Sequence, residues 1–187
     1  GEIVVYGPNV MQGYHNLPDK TAEVMTEDGG FRTGDLGRID SAGFLYITGR
    51  VKEQYKLENG KYVAPAPLEE QLKLSGFINQ ALIDGTNRPH NVALIVPDFE
   101  TLQPWAEAQG LKGLDAAALC AHDAVKTLIK AEIADRSSAF KAYEVPKSFS
   151  LVAEEFSTEN GMLTPTLKLK RRVIMAAHGE TLSALYS

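Results

Sequence analysis

The chain has 187 residues, of which 44% are hydrophobic, so it is long enough to bury one core or two smaller ones. Its net charge of −5 argues against a general nucleic-acid or membrane-surface binder, because both need a basic face. No apolar run approaches the roughly 20 residues that cross a bilayer, and no signal peptide is visible at the N-terminus. The single cysteine, Cys120, excludes an internal disulfide and fits a reducing compartment, so we expect a cytoplasmic protein.

Two residue types that often mark sites show no such pattern here. Cys120 lies in an alanine-rich helical stretch and is interpreted as a small buried hydrophobe. The four histidines are scattered without the spacing of metal ligands, so no metal site is predicted in this chain. The chain has no initiator methionine and begins inside a strand-like pattern, which suggests that it was cut from a longer protein.

Glycine-rich turns and short strands dominate the first third of the chain. The opening GEIVVYG predicts a strand. A hairpin is predicted over residues 36–48, with Gly43 at the turn position where φ is positive. A second hairpin is predicted over 54–63, because Asn59-Gly60 between alternating residues is a strong hairpin signal.

The segment 49–52 between the two hairpins is the predicted domain boundary. Beyond it the pattern changes to alternating helices and strands, which indicates a small α+β domain. The predicted fold class is therefore α+β, with a hairpin-rich N-terminal segment followed by a small mixed α+β domain. The predicted helices span 65–73, 99–109, 115–140 and 170–186, and the predicted strands span 77–83, 91–96 and 147–152.

Two stretches in the first third contain groups that recognise hydroxyls or phosphates. In 32–37, Asp35 is flanked by glycines, so its carboxylate could approach a sugar and accept hydrogen bonds from two hydroxyls. In 49–52, Arg50 offers a rigid donor fork beside a glycine that lets the backbone bend. Taken singly, each has an ordinary explanation, as a turn carboxylate and as a surface ion-pair partner.

Two further stretches lie downstream. The Asn59-Gly60 turn within 56–65 needs no function to explain it. The basic cluster of 163–172, which includes Lys168, precedes a predicted helix. In isolation such a cluster is interpreted as a solvated face, or as a nucleic-acid patch that the acidic net charge disfavours.

The four stretches gain specificity from their order along one chain. Six sequence segments together extend over essentially the whole chain: GYHNLPDKT, TGDLGRID, GFLYITGR, KLENGKYVAP, YEVPKSF and LTPTLKLKRR. They resemble the C-terminal part of the adenylate-forming superfamily of acyl-CoA synthetases, luciferases and peptide-synthetase adenylation domains. Their sequences are most similar to those of the long-chain fatty-acyl-CoA synthetases.

The resemblance implies nucleotide contacts and a hinge near the first boundary. Asp35 matches the aspartate that binds the ribose hydroxyls of ATP, and Arg50 matches the arginine that also contacts the nucleotide. Lys52 matches the hinge position between a large N-terminal domain and a mobile C-terminal domain. The resemblance thus divides the chain into residues 1–51, the tail of the large domain, and 52–187, the mobile lid.

The resemblance also implies two different working faces of the lid. Lys168 matches the lysine that bridges the α-phosphate and the carboxylate during adenylation. Lys56 and Gly60 fall in the segment that faces the active site in the thioester-forming state, near the pantetheine tunnel. The family changes from one face to the other by rotating the lid about the hinge.

The function so implied is that of an ATP-dependent long-chain fatty-acid–CoA ligase, which forms acyl-AMP and then the CoA thioester. The family's phosphate-binding loop, its magnesium-placing glutamate and its acyl pocket are not in this sequence. We therefore expect the chain alone to be inactive, and Mg²⁺ to be bound mainly by the missing N-terminal domain. The implied partners are the fatty acid, ATP, coenzyme A and that missing domain, with no nucleic acid.

Two other functions stay open at this point. One is an adenylating enzyme that loads a carrier protein instead of coenzyme A. The other is a stand-alone binding module that has kept the surface without the chemistry. A peripheral association of the full-length enzyme with a membrane is also left open.

Overall fold

The computed structural model describes all 187 residues and divides into two compact units, Gly1–Gln54 and Tyr55–Ser187. The first unit contains a three-stranded antiparallel sheet in the order β1-β2-β3 and one short helix, α1. In the turn before β3, Gly43 has a φ of +88° and the Asp40 carboxylate accepts the N–H groups of Ala42 and Phe44, each at 2.9 Å. The elements are β1 (Glu2–Val5), α1 (Pro18–Val24), β2 (Phe31–Ile39) and β3 (Leu45–Arg50).

Helix α1 was not predicted from the sequence. It begins at Pro18, a residue suited to the first helical turn, and none of its seven residues is buried. Without a buried stripe, the segment lacks the apolar period by which a helix is recognised in a sequence. Local hydrogen bonds of the Thr21 side chain hold the helix in place. The Thr21 hydroxyl accepts the Tyr14 N–H at 2.9 Å and donates to the Leu17 carbonyl at 3.0 Å.

The second unit contains a two-stranded hairpin, β4-β5, and a three-stranded sheet in the order β6-β7-β8. Strands β6 and β7 are antiparallel, whereas β7 and β8 are parallel. The strands are β4 (Tyr55–Lys56), β5 (Tyr62–Val63), β6 (Ile78–Asp84), β7 (Val92–Pro97) and β8 (Ser148–Leu151). The helices are α2 (Pro65–Leu72), α3 (Phe99–Ala108), α4 (Ala116–Ala121), α5 (Asp123–Arg136), α6 (Arg171–Ala177) and α7 (Gly179–Ala184).

The central strand β7 is buried on both faces and separates two hydrophobic clusters. Ala93 and Ile95 belong to a cluster that also contains core residues of α2, α3, α4 and α5. Leu94 and Val96 belong to a second cluster, with core residues of α6 and α7 and with Phe156. Because side chains alternate along a strand, one strand supports both clusters.

The predicted helix over 115–140 is wrong as a single element. The chain turns at His122, whose φ of −77° and ψ of 132° are extended, and α4 and α5 lie on either side of it. The His122 Nδ1 accepts the Ala124 N–H at 3.2 Å, so one residue ends the first helix and caps the second. Helix α5 ends at Arg136, where the Ser137 hydroxyl donates to the Ile133 carbonyl.

The predicted helix over 170–186 is also two helices. The break between α6 and α7 lies at His178, which has a φ of −116° and a ψ of 18°, and Gly179 is the first residue of α7. Glycine costs about 1 kcal/mol in a helix interior relative to alanine, so one continuous helix would be weakened at Gly179. Ile174 and Leu182 are both buried on the two sides of the break, while Val173 is exposed.

The remaining elements follow the predicted α+β class, with hairpin-rich and mixed segments in the expected order. Both predicted hairpins are present, although β4 and β5 are only two residues each. None of the helices combines the length and the apolar sequence needed to cross a membrane.

Candidate functional site

Asp35 and Arg50 face each other across two antiparallel strands of the first unit. Asp35 lies on β2, Arg50 ends β3, and the two residues are partners in the register of the strand pair. Arg50 Nε lies 3.1 Å from Asp35 Oδ1, and the side chains are 53% and 25% exposed. An ion pair so open to solvent adds little to stability, so a ligand could displace it at small cost.

The backbone before Asp35 is held by contacts that the sequence analysis did not identify. The Thr33 hydroxyl donates to the Ile3 carbonyl at 2.9 Å and accepts the Asp35 N–H at 3.0 Å. Gly34 has a φ of +74°, a conformation that L side chains rarely adopt. These contacts fix the direction of a carboxylate that stands beside a guanidinium donor fork, an arrangement suited to hydroxyls next to an anionic group.

Lys52 lies in a 3-10 turn, Val51–Glu53, directly after β3. All three residues of the turn are exposed, and the Gln54 N–H closes it on the Arg50 carbonyl at 3.2 Å. The first compact unit ends at Gln54. Lys52 is thus in a short exposed segment close to the end of that unit, and its assignment as a hinge stays a prediction.

Lys56 and Gly60 share the β4-β5 hairpin of the second unit. The hairpin is closed by Leu57 N–H to the Lys61 carbonyl at 2.8 Å, and Gly60 has a φ of +85° in the turn. Lys56 is exposed, and its ammonium lies 5.9 Å from the centre of the Tyr62 ring. A methyl group placed on Gly60 would lie 3.8 Å from Lys56 Cε, so the lysine stem passes beside the turn.

Buried polar contacts anchor this hairpin to the unit. The Tyr55 hydroxyl donates to Asn91 Oδ1 at 2.8 Å, and burial raises the pKa of Tyr55. The fully buried Asn91 amide then donates to the carbonyls of Tyr143 and Glu144 at 3.0 and 2.7 Å. Since buried polar groups are costly to leave without partners, this chain of bonds fixes the base of the hairpin.

Lys168 stands at the tip of a separate hairpin in the second unit. Leu163 and Leu169 are bridge partners at its base, and the Thr164 N–H donates to the Lys168 carbonyl at 2.8 Å. The Lys168 side chain is exposed and makes no hydrogen bond or ion pair within the chain. An ammonium so placed is available to an anionic ligand.

A buried charge pair that the sequence analysis missed holds the far end of this hairpin. Arg171, the first residue of α6, places Nη1 2.7 and 2.9 Å from the two oxygens of Glu69 on α2. The Glu69 carboxylate also accepts the Ile83 N–H at 2.6 Å, and the same arginine donates to the Ile83 carbonyl. The only sequence signal was an acidic residue beside the buried Leu68 of α2, which is too common to predict a partner about a hundred positions away.

Two other features of the structure lie apart from these residues. A groove of about 600 Å³ runs between α5 and β8, and none of the proposed site residues lines it. No cluster of three or more His, Cys, Asp or Glu side chains could hold a metal ion. Apart from Lys52 in its 3-10 turn, the proposed site residues fall into three groups, namely Asp35 with Arg50, Lys56 with Gly60, and Lys168.

Known proteins that are similar to this chain are adenylate-forming enzymes. Residues 52–119 match the model of the AMP-binding enzyme C-terminal domain. The chain is 38% identical over its whole length to human long-chain-fatty-acid–CoA ligase 1, of which it covers 27%. It is 36% identical over its whole length to the long-chain-fatty-acid–CoA ligase FadD15 of Mycobacterium tuberculosis, of which it covers 31%. The chain is thus similar to AMP-binding, adenylate-forming enzymes, and its residues 52–119 match their C-terminal domain.

Solved structures of adenylate-forming enzymes share this fold. The adenylation domain of a carboxylate reductase from Mycobacterium chelonae matches the whole chain with a TM-score of 0.79 and 30% identity, over 27% of its own length. The A-PCP didomain of carboxylic acid reductase from Segniliparus rugosus, solved with AMP, also matches the whole chain, over 25% of its own length, with a TM-score of 0.78 and 30% identity. Our chain thus corresponds to about a quarter to a third of the adenylate-forming enzymes that it matches.

Proposed function

We propose that this chain is the C-terminal part of an AMP-forming ligase that activates a long-chain fatty acid with ATP and transfers the acyl group to coenzyme A. The observation that supports this most is the match of the whole chain to long-chain-fatty-acid–CoA ligases, together with an exposed Lys168 that has no partner of its own. Because the chain spans about 27% of the human relative, we expect it to be inactive without a large N-terminal domain.

The first unit supports the nucleotide-binding part of the proposal. The Asp35 carboxylate would accept the ribose hydroxyls of ATP, and Arg50, now paired with it at 3.1 Å, would donate to the nucleotide. The carboxylate can accept several hydrogen bonds, and its Oδ2 accepts none from the chain. Ligand binding would then exchange a weak, exposed ion pair for charge-assisted hydrogen bonds.

Lys168 would act in the adenylation step. Attack of a carboxylate on an α-phosphate brings two anions together, and a lysine between them offsets the repulsion and orients the attack. At about 4 Å and an effective dielectric near 20, one such contact is worth about 4 kcal/mol before desolvation costs. Since an exposed contact is worth far less, the benefit requires a closed site.

The exposure of apolar side chains in the first unit supports its assignment as the tail of a larger domain. None of its hydrophobic side chains is buried, whereas the second unit contains every member of both core clusters. Ile39, Phe44 and Ile47 are 69%, 66% and 68% exposed on the β2-β3 hairpin. Apolar side chains so exposed would be covered by the rest of a large domain. Residues 1–51 would then belong to that domain and 52–187 to the lid, with Lys52 as the hinge.

Coenzyme A and magnesium enter the proposal in different ways. The Lys56–Gly60 hairpin would face the pantetheine arm in the thioester-forming state. Magnesium would be held mainly outside this chain, whose acidic residues form no cluster that fits the ion, and we assign it no step here.

A reducing, cytoplasmic location is proposed on the basis of Cys120, which is free and buried. Burial raises the pKa of this thiol to about 11.

A half-reaction assay on the enzyme that contains this chain tests the role of Lys168. Replacing Lys168 by alanine should lower the rate of acyl-adenylate formation by about 10²- to 10³-fold, because one preorganised charge contact is lost. Thioester formation from supplied acyl-adenylate and coenzyme A should continue at the wild-type rate.

Lys170→Ala is the matched control, because Lys170 is an exposed lysine two residues away. It should leave both half-reactions within about 2-fold, since surface charges contribute little. Equal loss of both half-reactions in Lys168→Ala would contradict the assigned role.

One observation favours a second candidate function, in which the acyl group is transferred to a carrier protein instead of coenzyme A. The A-PCP didomain of carboxylic acid reductase matches the whole chain as a structure, so the same lid could serve an enzyme that loads a carrier protein. Measuring acyl transfer to free coenzyme A against transfer to a carrier protein separates the two. The ligase proposal expects transfer to free coenzyme A.

A further inference from the structure

The tip of the Lys168 hairpin is closed on a single threonine. The Thr164 hydroxyl accepts the Lys168 N–H at 3.0 Å, and the Thr164 N–H donates to the Lys168 carbonyl at 2.8 Å. The Thr164 carbonyl accepts the Leu167 N–H at 2.9 Å, and its hydroxyl lies 3.1 Å from that of Thr166. The N–H and the carbonyl of Lys168 and the N–H of Leu167 are therefore all bonded to Thr164.

The residue before the lysine is held in a conformation that its type disfavours. Leu167 has a φ of +57°, and its side chain is 73% exposed, so no burial compensates for the conformation. A left-handed conformation costs a non-glycine residue about 1–2 kcal/mol. Hairpin loops of three residues usually place glycine at this position. The contacts of Thr164 on both sides of Leu167 maintain it there.

We propose that Thr164 is the positioning residue for Lys168. The inference rests on the proposed function of Lys168 in adenylation. A lysine side chain has a flexible stem, and that of Lys168 has no partner in the chain, so only its backbone determines where the ammonium can reach. The Thr164 hydroxyl accepts the Lys168 N–H and so fixes that backbone. Small displacements of a catalytic group can lower a rate by about 10²-fold.

Two substitutions separate the hydroxyl from the shape of the side chain. Thr164→Val keeps the branched shape and removes the acceptor for the Lys168 N–H, whereas Thr164→Ser keeps the acceptor. Thr158→Val is the matched control, because Thr158 is exposed in the same unit and its hydroxyl makes no hydrogen bond. Thermal unfolding of each variant establishes that it is folded.

The first measurement is amide hydrogen exchange of Lys168 in the 187-residue chain. Thr164→Val should speed exchange of that amide by about 10-fold, since a net hydrogen bond of ordinary strength is lost. Thr164→Ser and Thr158→Val should leave the rate within about 2-fold of wild type. An unchanged rate in Thr164→Val would overturn the inference at the level of geometry.

The second measurement is the pair of half-reactions in the enzyme that contains this chain. Thr164→Val should slow acyl-adenylate formation by about 10- to 100-fold and leave thioester formation from supplied acyl-adenylate unchanged. Thr164→Ser should restore adenylation. Equal loss of both half-reactions, or no loss in Thr164→Val, would overturn the positioning role.

Lys168→Ala in the same assay keeps the two proposals distinguishable. If Lys168→Ala loses adenylation and Thr164→Val does not, the positioning role alone is wrong. If Lys168→Ala retains adenylation, the proposed function of Lys168 is wrong, and the exchange result still reports on the geometry of the tip.

Discussion

Tyr186 near the C-terminus is kept neutral by its surroundings. Burial, followed by the nearby Asp84 carboxylate, raises the pKa of Tyr186 to about 12. The hydroxyl lies 3.3 Å from the Asp84 carbonyl, and the ring packs 5.1 Å from that of His90, centre to centre. In the unfolded chain the same phenol would titrate near its ordinary pKa of 10.0. Its contribution to folding stability is therefore present below pH 10 and is lost as the pH rises toward 12.

Tyr186→Phe tests this linkage. We expect the free energy of unfolding of wild type to exceed that of the variant by a constant amount up to about pH 10, and the difference to shrink between about pH 10 and 12. Urea unfolding of both proteins across this range measures the difference. Curves that stay parallel to pH 12 would contradict the shift.

Residues with chemical motifs could be identified from sequence, but the residues that hold them could not. Asp35, Arg50 and Lys168 stand out by their resemblance to a family. Thr33 and Thr164 act through bonds to backbone groups across a strand pair or a turn, and those bonds exist only once the hairpins have formed. Nothing in the composition of their neighbourhoods distinguishes them from other threonines.

At the scale of elements, the hairpins were predicted well because their turns carry explicit chemistry. Gly43 and Gly60 both adopt positive φ at the predicted turns. The long helices were predicted too long, because apolar spacing continues across breaks that a local side chain or a glycine creates. Those breaks lie at His122 and at His178, which Gly179 follows directly. An extended histidine such as His122, which caps the next helix, has no reliable sequence signal.

Arg171→Ala tests how the Lys168 hairpin is joined to the rest of the second unit. The Glu69 side chain is 6% exposed, so removal of the arginine takes a paired guanidinium away from a buried carboxylate. We expect a loss of about 3 kcal/mol in the free energy of unfolding, measured with urea.

Arg172→Ala is the matched control for this element, because Arg172 is exposed on the same helix. It should change the free energy of unfolding by less than about 0.5 kcal/mol. If both variants lose the same amount, the link between α6 and α2 does not have the stabilising role given to it.

At the scale of the whole molecule, the sequence predicted an α+β class but not the arrangement of the sheets. The parallel pairing of β7 with β8 joins strands more than fifty residues apart, and the intervening helices could not be placed from their periodicity. The concentration of the core in the second unit is likewise a tertiary property. A core confined to the second unit agrees with the proposal that residues 52–187 form a lid that moves as one rigid body during domain alternation.

The central claim is that this lid serves two half-reactions through two different hairpins. Gly60→Ala is the variant that addresses it from the thioester side, because it adds a side chain at the hairpin proposed to face the pantetheine arm. Gly110→Ala is its matched control, since Gly110 has a φ of +84° against +85° for Gly60, and an added methyl group meets nothing within 4 Å. Both variants incur similar backbone strain, and within the chain they differ only in an ordinary contact of the Gly60 methyl group with Lys56 Cε at 3.8 Å.

The deciding measurement is the single-turnover rate of each half-reaction in Gly60→Ala and Lys168→Ala forms of the enzyme that contains this chain. We expect a reciprocal pattern. Gly60→Ala should slow thioester formation by about 10-fold or more and leave adenylation unchanged, whereas Lys168→Ala should slow adenylation and leave thioester formation unchanged. Slowing of the same half-reaction in both variants, or equal behaviour of Gly60→Ala and Gly110→Ala, would contradict the account.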